Sequence, residues 1–162
     1  FNKREELTMR LVENIPLDTM AIAKLIEDKN DLFLVWPKAD FPFNHLQWQE
    51  VLDPQKGNVP FLVYEGNELI GHAAIRKTTD DGIYFLSFLY IIPGMRSCGA
   101  GERMIYLLEK YAAEKLDAKE LNLVVRTYNP RAIRCYTKCG FKEHSREDTL
   151  IKMSKVLMRR EA

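Results

Sequence analysis

The sequence predicts one α/β (α+β) domain over residues 1–162, a central mixed sheet with helices on both faces. Three observations predict it. Hydrophobic spacing alternates between strand and helix periods in the order β-α-α-β-β-β-α-β-α-β-β. The apolar run at 83–92 reads as a strand buried on both faces, hence central in its sheet. A chain of 162 residues suits a single hydrophobic core.

Residues 7–12 alternate as a first strand, closed by Asn14-Ile-Pro16. Asp18 is an N-cap for a helix over 19–27, where Met20, Ile22, Ala23 and Ile26 recur at helical spacing. Residues 29–43 read as an irregular aromatic segment, with Phe33, Trp36, Phe41 and Phe43 interrupted by Pro37 and Pro42. Asn44 caps a short helix through Leu52, which Asp53-Pro54 ends. Strands over 59–64 and 69–76 follow, joined by the hairpin Glu65-Gly-Asn-Glu68. Asp80-Asp-Gly82 turns into the central strand, and Pro93-Gly94 stops it. Residues 99–115 form the strongest helix, with Met104, Leu107, Leu108, Tyr111 and Ala112 on one stripe. A buried strand over 121–125 leads to a helix opened by Asn129-Pro130 and closed by Gly140 as a left-handed cap. Two strands split near Asp148 complete the chain.

Composition narrows the function. Apolar residues make up 46% and charged residues 29%, which is globular rather than disordered. The net charge of +1 gives no global field for nucleic acid or a membrane surface. Residues 126–162 hold ten Lys/Arg against four Asp/Glu, and residues 1–125 hold 14 against 19, so the segments carry +6 and −5. An anion site near the C-terminal end fits that balance. Cys98, Cys135 and Cys139 are too few and too odd for a disulfide framework, and His45, His72 and His144 are too scattered to complete a zinc site. No apolar run reaches the roughly 18 residues a bilayer span requires, and no signal peptide is recognisable. A metal-free cytoplasmic protein is the expectation. The chain opens on Phe1 rather than Met, so its true start is expected upstream.

The informative stretch is Leu89-Tyr-Ile-Ile-Pro-Gly-Met-Arg-Ser-Cys-Gly-Ala-Gly101. A strand ends at a proline turn, and a small-residue loop enters the strong helix. Free amides and the helix dipole make such an entry an anion site, suited to a diphosphate. By itself the loop reads equally well as a strand-to-helix turn packed closely through small residues. It is neither a Walker loop nor a dinucleotide-binding G-x-G-x-x-G.

Arg96-x-x-Gly99-x-Gly101, followed by Asn129-Pro-Arg-Ala-Ile-Arg-Cys-Tyr136-Thr-Lys-Cys-Gly-Phe141, resembles the Gcn5-related N-acetyltransferase (GNAT) superfamily. Leu69-Ile-Gly71 in the hairpin and the Ile91-x-Pro93 stop are similar too, and the closest resemblance covers residues 59–145. It implies a mostly antiparallel mixed sheet splayed between strands four and five, with acetyl-CoA wedged in the gap. Backbone groups at a bulge around Leu89, Tyr90 and Ile91 would serve the pantetheine amides. The loop of Arg96, Ser97, Cys98, Gly99, Ala100, Gly101 and Glu102 would hold the pyrophosphate through its amides. Asn129 would bond the pantetheine arm. Tyr136, two helical turns on, would protonate the departing thiolate.

The implied reaction is direct attack of an amine on the thioester in a ternary complex, its oxyanion held by a strand-four N–H. The chain departs from the family pattern in three places. Ser97 replaces the usual loop glycine, Val124 stands where many protein-acetylating members carry glutamate, and Ser87 stands where others carry a carboxylate. No general base is visible. His72 and Glu65 are candidate relays, although His72 reads better as a satisfied strand histidine. A cysteine nucleophile lacks a neighbouring base. The acceptor would meet residues 28–48, where Phe33 and Trp36, with Phe41, Phe43 and Trp48, either line an aromatic pocket or belong to the core. The acidic first 125 residues favour a cationic acceptor. The reading is a small-molecule N-acetyltransferase with acetyl-CoA and an amine as partners, and a homodimer is one assembly open to it. Its alternatives are a protein N-terminal or lysine acetyltransferase and a non-catalytic acyl-CoA-binding module.

Overall fold

The computed structural model describes residues 8–157. The expected first-strand residue Leu7 lies outside them. Seven strands form one sheet: β1 (Met9–Glu13), β2 (Val59–Glu65), β3 (Glu68–Lys77), β4 (Ile83–Ile91), β5 (Glu120–Arg126), β6 (Lys142–Glu147) and β7 (Leu150–Val156). Their order is β1-β2-β3-β4-β5-β7-β6. Every neighbouring pair is antiparallel except β4–β5, which is parallel.

Among the described residues five α-helices cover the sheet: α1 (Thr19–Leu25), α2 (Lys29–Val35), α3 (His45–Val51), α4 (Ala100–Leu116) and α5 (Pro130–Lys138). Each short helix starts at a side-chain cap. Asp18 accepts from the Ala21 amide, Asp28 from Asp31, Asn44 from Gln47 and Asn129 from Ala132. The helix α2 corrects the sequence reading of 29–43 as irregular. Seven residues close to Pro37 carry too little apolar periodicity to announce a helix.

Strand alternation sorts the core into two layers. Ala73, Ile75, Leu121, Leu123 and Val125 join Met104, Ile105 and Leu108 of α4, with α5 packed beside them. Ala74, Phe88 and Tyr90 join Ile22, Leu32 and Trp48 of α1–α3 on the other face. Trp48 is fully buried, stacked on Phe43 at 5.4 Å and met edge-on by Trp36 at 5.0 Å. Trp36, Phe43 and Trp48 therefore belong to the core while Phe41 is exposed, and removing Trp48 would cost about 3–5 kcal/mol.

Two irregularities position the site. The β4–β5 ladder covers only Ile83–Phe85 against Glu120–Asn122, and beyond it the strands part. On the other edge of β4 the register with β3 slips: His72 opposes Tyr90, whereas Ala74 opposes Ser87. The extra β4 residue is a bulge, and Phe88 there adopts φ 55°.

Candidate active site

The parted strands open a cleft of about 750 Å³, a volume suited to a small ligand. Residues 86–91 of β4 and 123–126 of β5 form its walls, and the end of α2, the entry of α4 and one side of α5 complete it. At the bulge neither Phe88 nor Leu89 has a register partner on β3. Gly71 keeps the neighbouring strands close, since a Cβ there would lie 2.4 Å from the Tyr90 carbonyl oxygen.

The loop after β4 is held from within. Arg96 Nε donates to the Ile91 carbonyl at 2.8 Å, and its NH2 donates to Asp31 Oδ2 at 3.2 Å. Tyr90 donates its hydroxyl to the same Asp31 oxygen at 2.9 Å. Burial first, and then the Asp31 carboxylate, push the Tyr90 phenol up to about 12. The Arg96 side chain is thus an anchor tying the loop to β4 and α2. Ser97 and Gly99 take φ 63° and 83°, and no side chain caps α4 at Gly99. The first α4 amides are left for an anion, with the helix dipole behind them. Ser97 adopts the left-handed conformation that glycine would hold without strain at that position.

Asn129 and Tyr136 both line the cleft. The Asn129 Oδ1 accepts from the Ala132 amide at 3.4 Å, which leaves the Nδ2 donor for a ligand. Tyr136 is half-buried with its ring 6.4 Å from Phe141, and its hydroxyl has no protein hydrogen bond among the described residues. Burial, then Cys135 and Cys139, raise its phenol above the ordinary value. The hydroxyl is therefore protonated at neutral pH, as a proton donor must be.

Of the residues the sequence singled out, Leu89, Tyr90, Ile91, Arg96, Ser97, Gly99, Gly101, Glu102, Asn129, Tyr136 and Trp36 line the cleft. Three do not. Cys98 is exposed with its thiol donating to the Met95 carbonyl, Ala100 is buried as the first residue of α4, and Phe33 lies beside Lys29, whose Nζ is 5.8 Å from its ring. Any part Cys98 or Ala100 plays in anion binding is through backbone. Phe33 is a correction, because its position on α2 turns the ring away from the cleft-lining Asp31, Leu34 and Val35.

His72 is fully buried, and Nδ1 donates to the Phe88 carbonyl at 2.8 Å. Burial lowers its pKa to about 4, so it is a neutral structural group on β3. Glu65 is bound to Arg103 at 3.2 Å and to Thr8. Neither is placed as a relay. Ser87 and Val124 line the cleft without supplying a carboxylate. The three cysteines are free thiols, and a hydrogen bond between Cys135 and Cys139 lowers the first and raises the second. Among the described residues no three His, Cys, Asp or Glu side chains gather as a metal site, and no helix is long and apolar enough to cross a membrane. Sequence reasoning missed Asp31, whose link to Arg96 spans 65 positions and appears only once α2 is seen as a helix.

The family model described as "Acetyltransferase (GNAT) family" matches residues 22–141. An uncharacterized N-acetyltransferase, YhfO, of Bacillus subtilis (strain 168) is 30% identical over 90 residues, covering 53% of this chain and 60% of that protein. The spermidine N-acetyltransferase of Vibrio cholerae, solved with CoA and spermine, superposes with a TM-score of 0.74 at 19% identity, over 93% of this chain and 96% of that one. The Campylobacter jejuni N-acetyltransferase PseH, solved with acetyl coenzyme A, gives 0.68 at 20% identity, over 93% and 99%. At these identities the superpositions speak for the fold, and it is the family match across most of the chain, joined to the splayed sheet and the uncapped loop, that makes this chain a member of the GNAT acetyltransferase family.

Proposed function

We propose that the protein is an acetyl-CoA-dependent N-acetyltransferase that acylates a primary amine of a small molecule by direct attack in a ternary complex. The observation that carries this reading is the coincidence, in one cleft, of the uncapped α4 entry, the β4 bulge and Tyr136. Backbone amides at 97–102 suit the pyrophosphate, and the Leu89 region and Asn129 suit the pantetheine arm.

The amine nitrogen attacks the thioester carbonyl, forming a C–N bond and an oxyanion that a β4 N–H can stabilise. Collapse breaks the C–S bond, and the sulfur takes the Tyr136 proton as it leaves as CoA thiol. The acylated nitrogen loses its extra proton to water, which returns a proton to the Tyr136 phenolate, in keeping with Ser87 and Val124 at positions where a base would stand. Val124, in place of a glutamate, favours a small-molecule acceptor over a protein amine.

Incubating the protein with acetyl-CoA and a panel of amines, and reading free thiol, tests the reading. Amine-dependent thiol release is expected. Acetyl-CoA binding without turnover on any amine would instead identify an acyl-CoA-binding module.

A further inference from the structure

Seven of the ionisable side chains lining the cleft are basic, Lys38, Arg76, Arg96, Arg126, Arg131, Arg134 and Lys138, against two carboxylates, Asp31 and Glu102. Their placement divides them. Arg131, Arg134 and Lys138 belong to α5, and Arg96 is tied to Asp31. Arg76 and Arg126 stand on the opposite face of the sheet. On β5, Leu121, Leu123 and Val125 point into the core under α4, so Val124 and Arg126 point the other way. On β3, Arg76 follows Ala74 of the α1–α3 core, and its guanidinium lies 5.4 Å from the Phe88 ring centroid. Lys38 enters the same region from the end of α2. Lys152, opposite Val124 on β7, adds a further charge with Nζ 5.7 Å from the Phe85 ring.

These cations lack counter-charges. The ion pairs among the described residues are Arg96–Asp31, Arg103–Glu65, Arg146–Glu143 and Lys155–Glu109, and none involves Arg76, Arg126, Lys38 or Lys152. Arg126 donates to Thr149 Oγ1 at 3.1 Å, a neutral partner. Arg76 Nε is buried with no hydrogen-bond partner. A half-buried guanidinium without an anion is unfavourable, and a planar fork of donors matches carboxylate or phosphate oxygens. Asp31, the carboxylate on this side, is already paired with Arg96 and hydrogen-bonded by the Tyr90 hydroxyl. On this side of the cleft the cationic acceptor expected from the acidity of residues 1–125 therefore meets no free carboxylate, since Glu102, the other carboxylate of the lining, stands at the α4 entry.

We propose that the acceptor is an anionic amine, a small molecule whose carboxylate or phosphate is held by Arg76 and Arg126 while its amino group faces the β4–β5 gap. This rests on the acetyltransferase reading for the cleft, and the test separates the two. Protein saturated with CoA is titrated calorimetrically with matched acceptors: α-amino acids against their carboxamides, an amino sugar against its phosphate ester, and spermidine. The same panel is run for thiol release with acetyl-CoA. The anionic member of a pair should bind and react better by on the order of 10- to 100-fold, and which pair shows it tells carboxylate from phosphate. Arg76→Gln should reduce that ratio towards one with acetyl-CoA affinity unchanged, and Arg126→Gln, on a more open strand end, repeats the test should the first variant melt early. Preference for neutral acceptors or spermidine, or a ratio unmoved in both variants, would overturn the proposal. Arginine-dependent binding of the anionic member without thiol release would uphold the anion subsite and sink the acetyltransferase reading.

Discussion

The His72 imidazole on β3 donates from Nδ1 to the carbonyl oxygen of Phe88 on β4 at 2.8 Å, fastening the residue whose left-handed backbone makes the bulge. An aromatic residue at φ 55° is strained, and strain of this kind persists only where the surroundings hold it. Here the holding groups are His72, the ring of Trp36 at 5.2 Å and that of Trp48 at 5.3 Å. The bulge is thus a property of the packed α1–α3 layer.

That arrangement makes stability depend on pH. Burial lowers the His72 pKa from 6.5 to about 4, so between those values the unfolded chain binds the proton and the folded one does not. The His72 contribution is complete above pH 6.5 and is lost as pH falls to about 4, a change on the order of 3 kcal/mol. Denaturant unfolding of the wild type and His72→Gln, which keeps a donor but does not titrate, should show the wild type losing more stability across that window. Parallel curves would contradict it.

Ser97 holds φ 63° in the loop. Ser97→Gly should raise stability by roughly 0.5–1 kcal/mol, the left-handed penalty removed less the entropy a glycine adds to the unfolded chain. Acetyl-CoA affinity should not change, because the loop keeps its path. Denaturant melts and a binding titration on this one variant check both halves.

Gly101 faces Cys135, whose Sγ would lie 3.1 Å from an added Cβ, and Gly99 sits at φ 83°. Gly101→Glu and Gly99→Glu should abolish acetyl-CoA binding, since each brings a carboxylate and steric strain to the α4 entry. Calorimetric affinity equal to wild type in either variant would remove the pyrophosphate from this loop.

Trp36 touches Trp48 and Phe88 and also lines the cleft. Trp36→Ala should therefore lower stability by about 3 kcal/mol and raise the acceptor KM more than the acetyl-CoA KM. A melting curve followed by kinetics below the new midpoint separates the packing loss from the binding loss.

The strands, α4, α5 and the small-residue loop before α4 were legible because each writes a local signal: a buried run for β4, a proline at the start of α5, small residues at 99–101. What was not legible is built from distance. Asp31 meets Arg96 and Tyr90, and Arg76 shares a cleft with Arg126, only through strand register and a seven-residue helix whose sequence is dominated by its tertiary packing. The strained bulge residue was hidden for a different reason, since Phe88 lacks the glycine that usually marks a left-handed backbone.

The central claim is that Tyr136 delivers the proton that lets the CoA thiolate leave. Its hydroxyl opens on the cleft, lacks a protein hydrogen bond among the described residues and is kept protonated by burial. Tyr136→Phe removes one oxygen and little volume, so fold and acetyl-CoA affinity should hold. Single-turnover acetyl transfer, followed across pH in both proteins with saturating acetyl-CoA, is the direct measurement. The account predicts a rate lower by about 10²-fold or more in Tyr136→Phe at neutral pH. Equal rates for the two proteins at every pH would contradict it and leave Tyr136 as a residue that packs against the thioester.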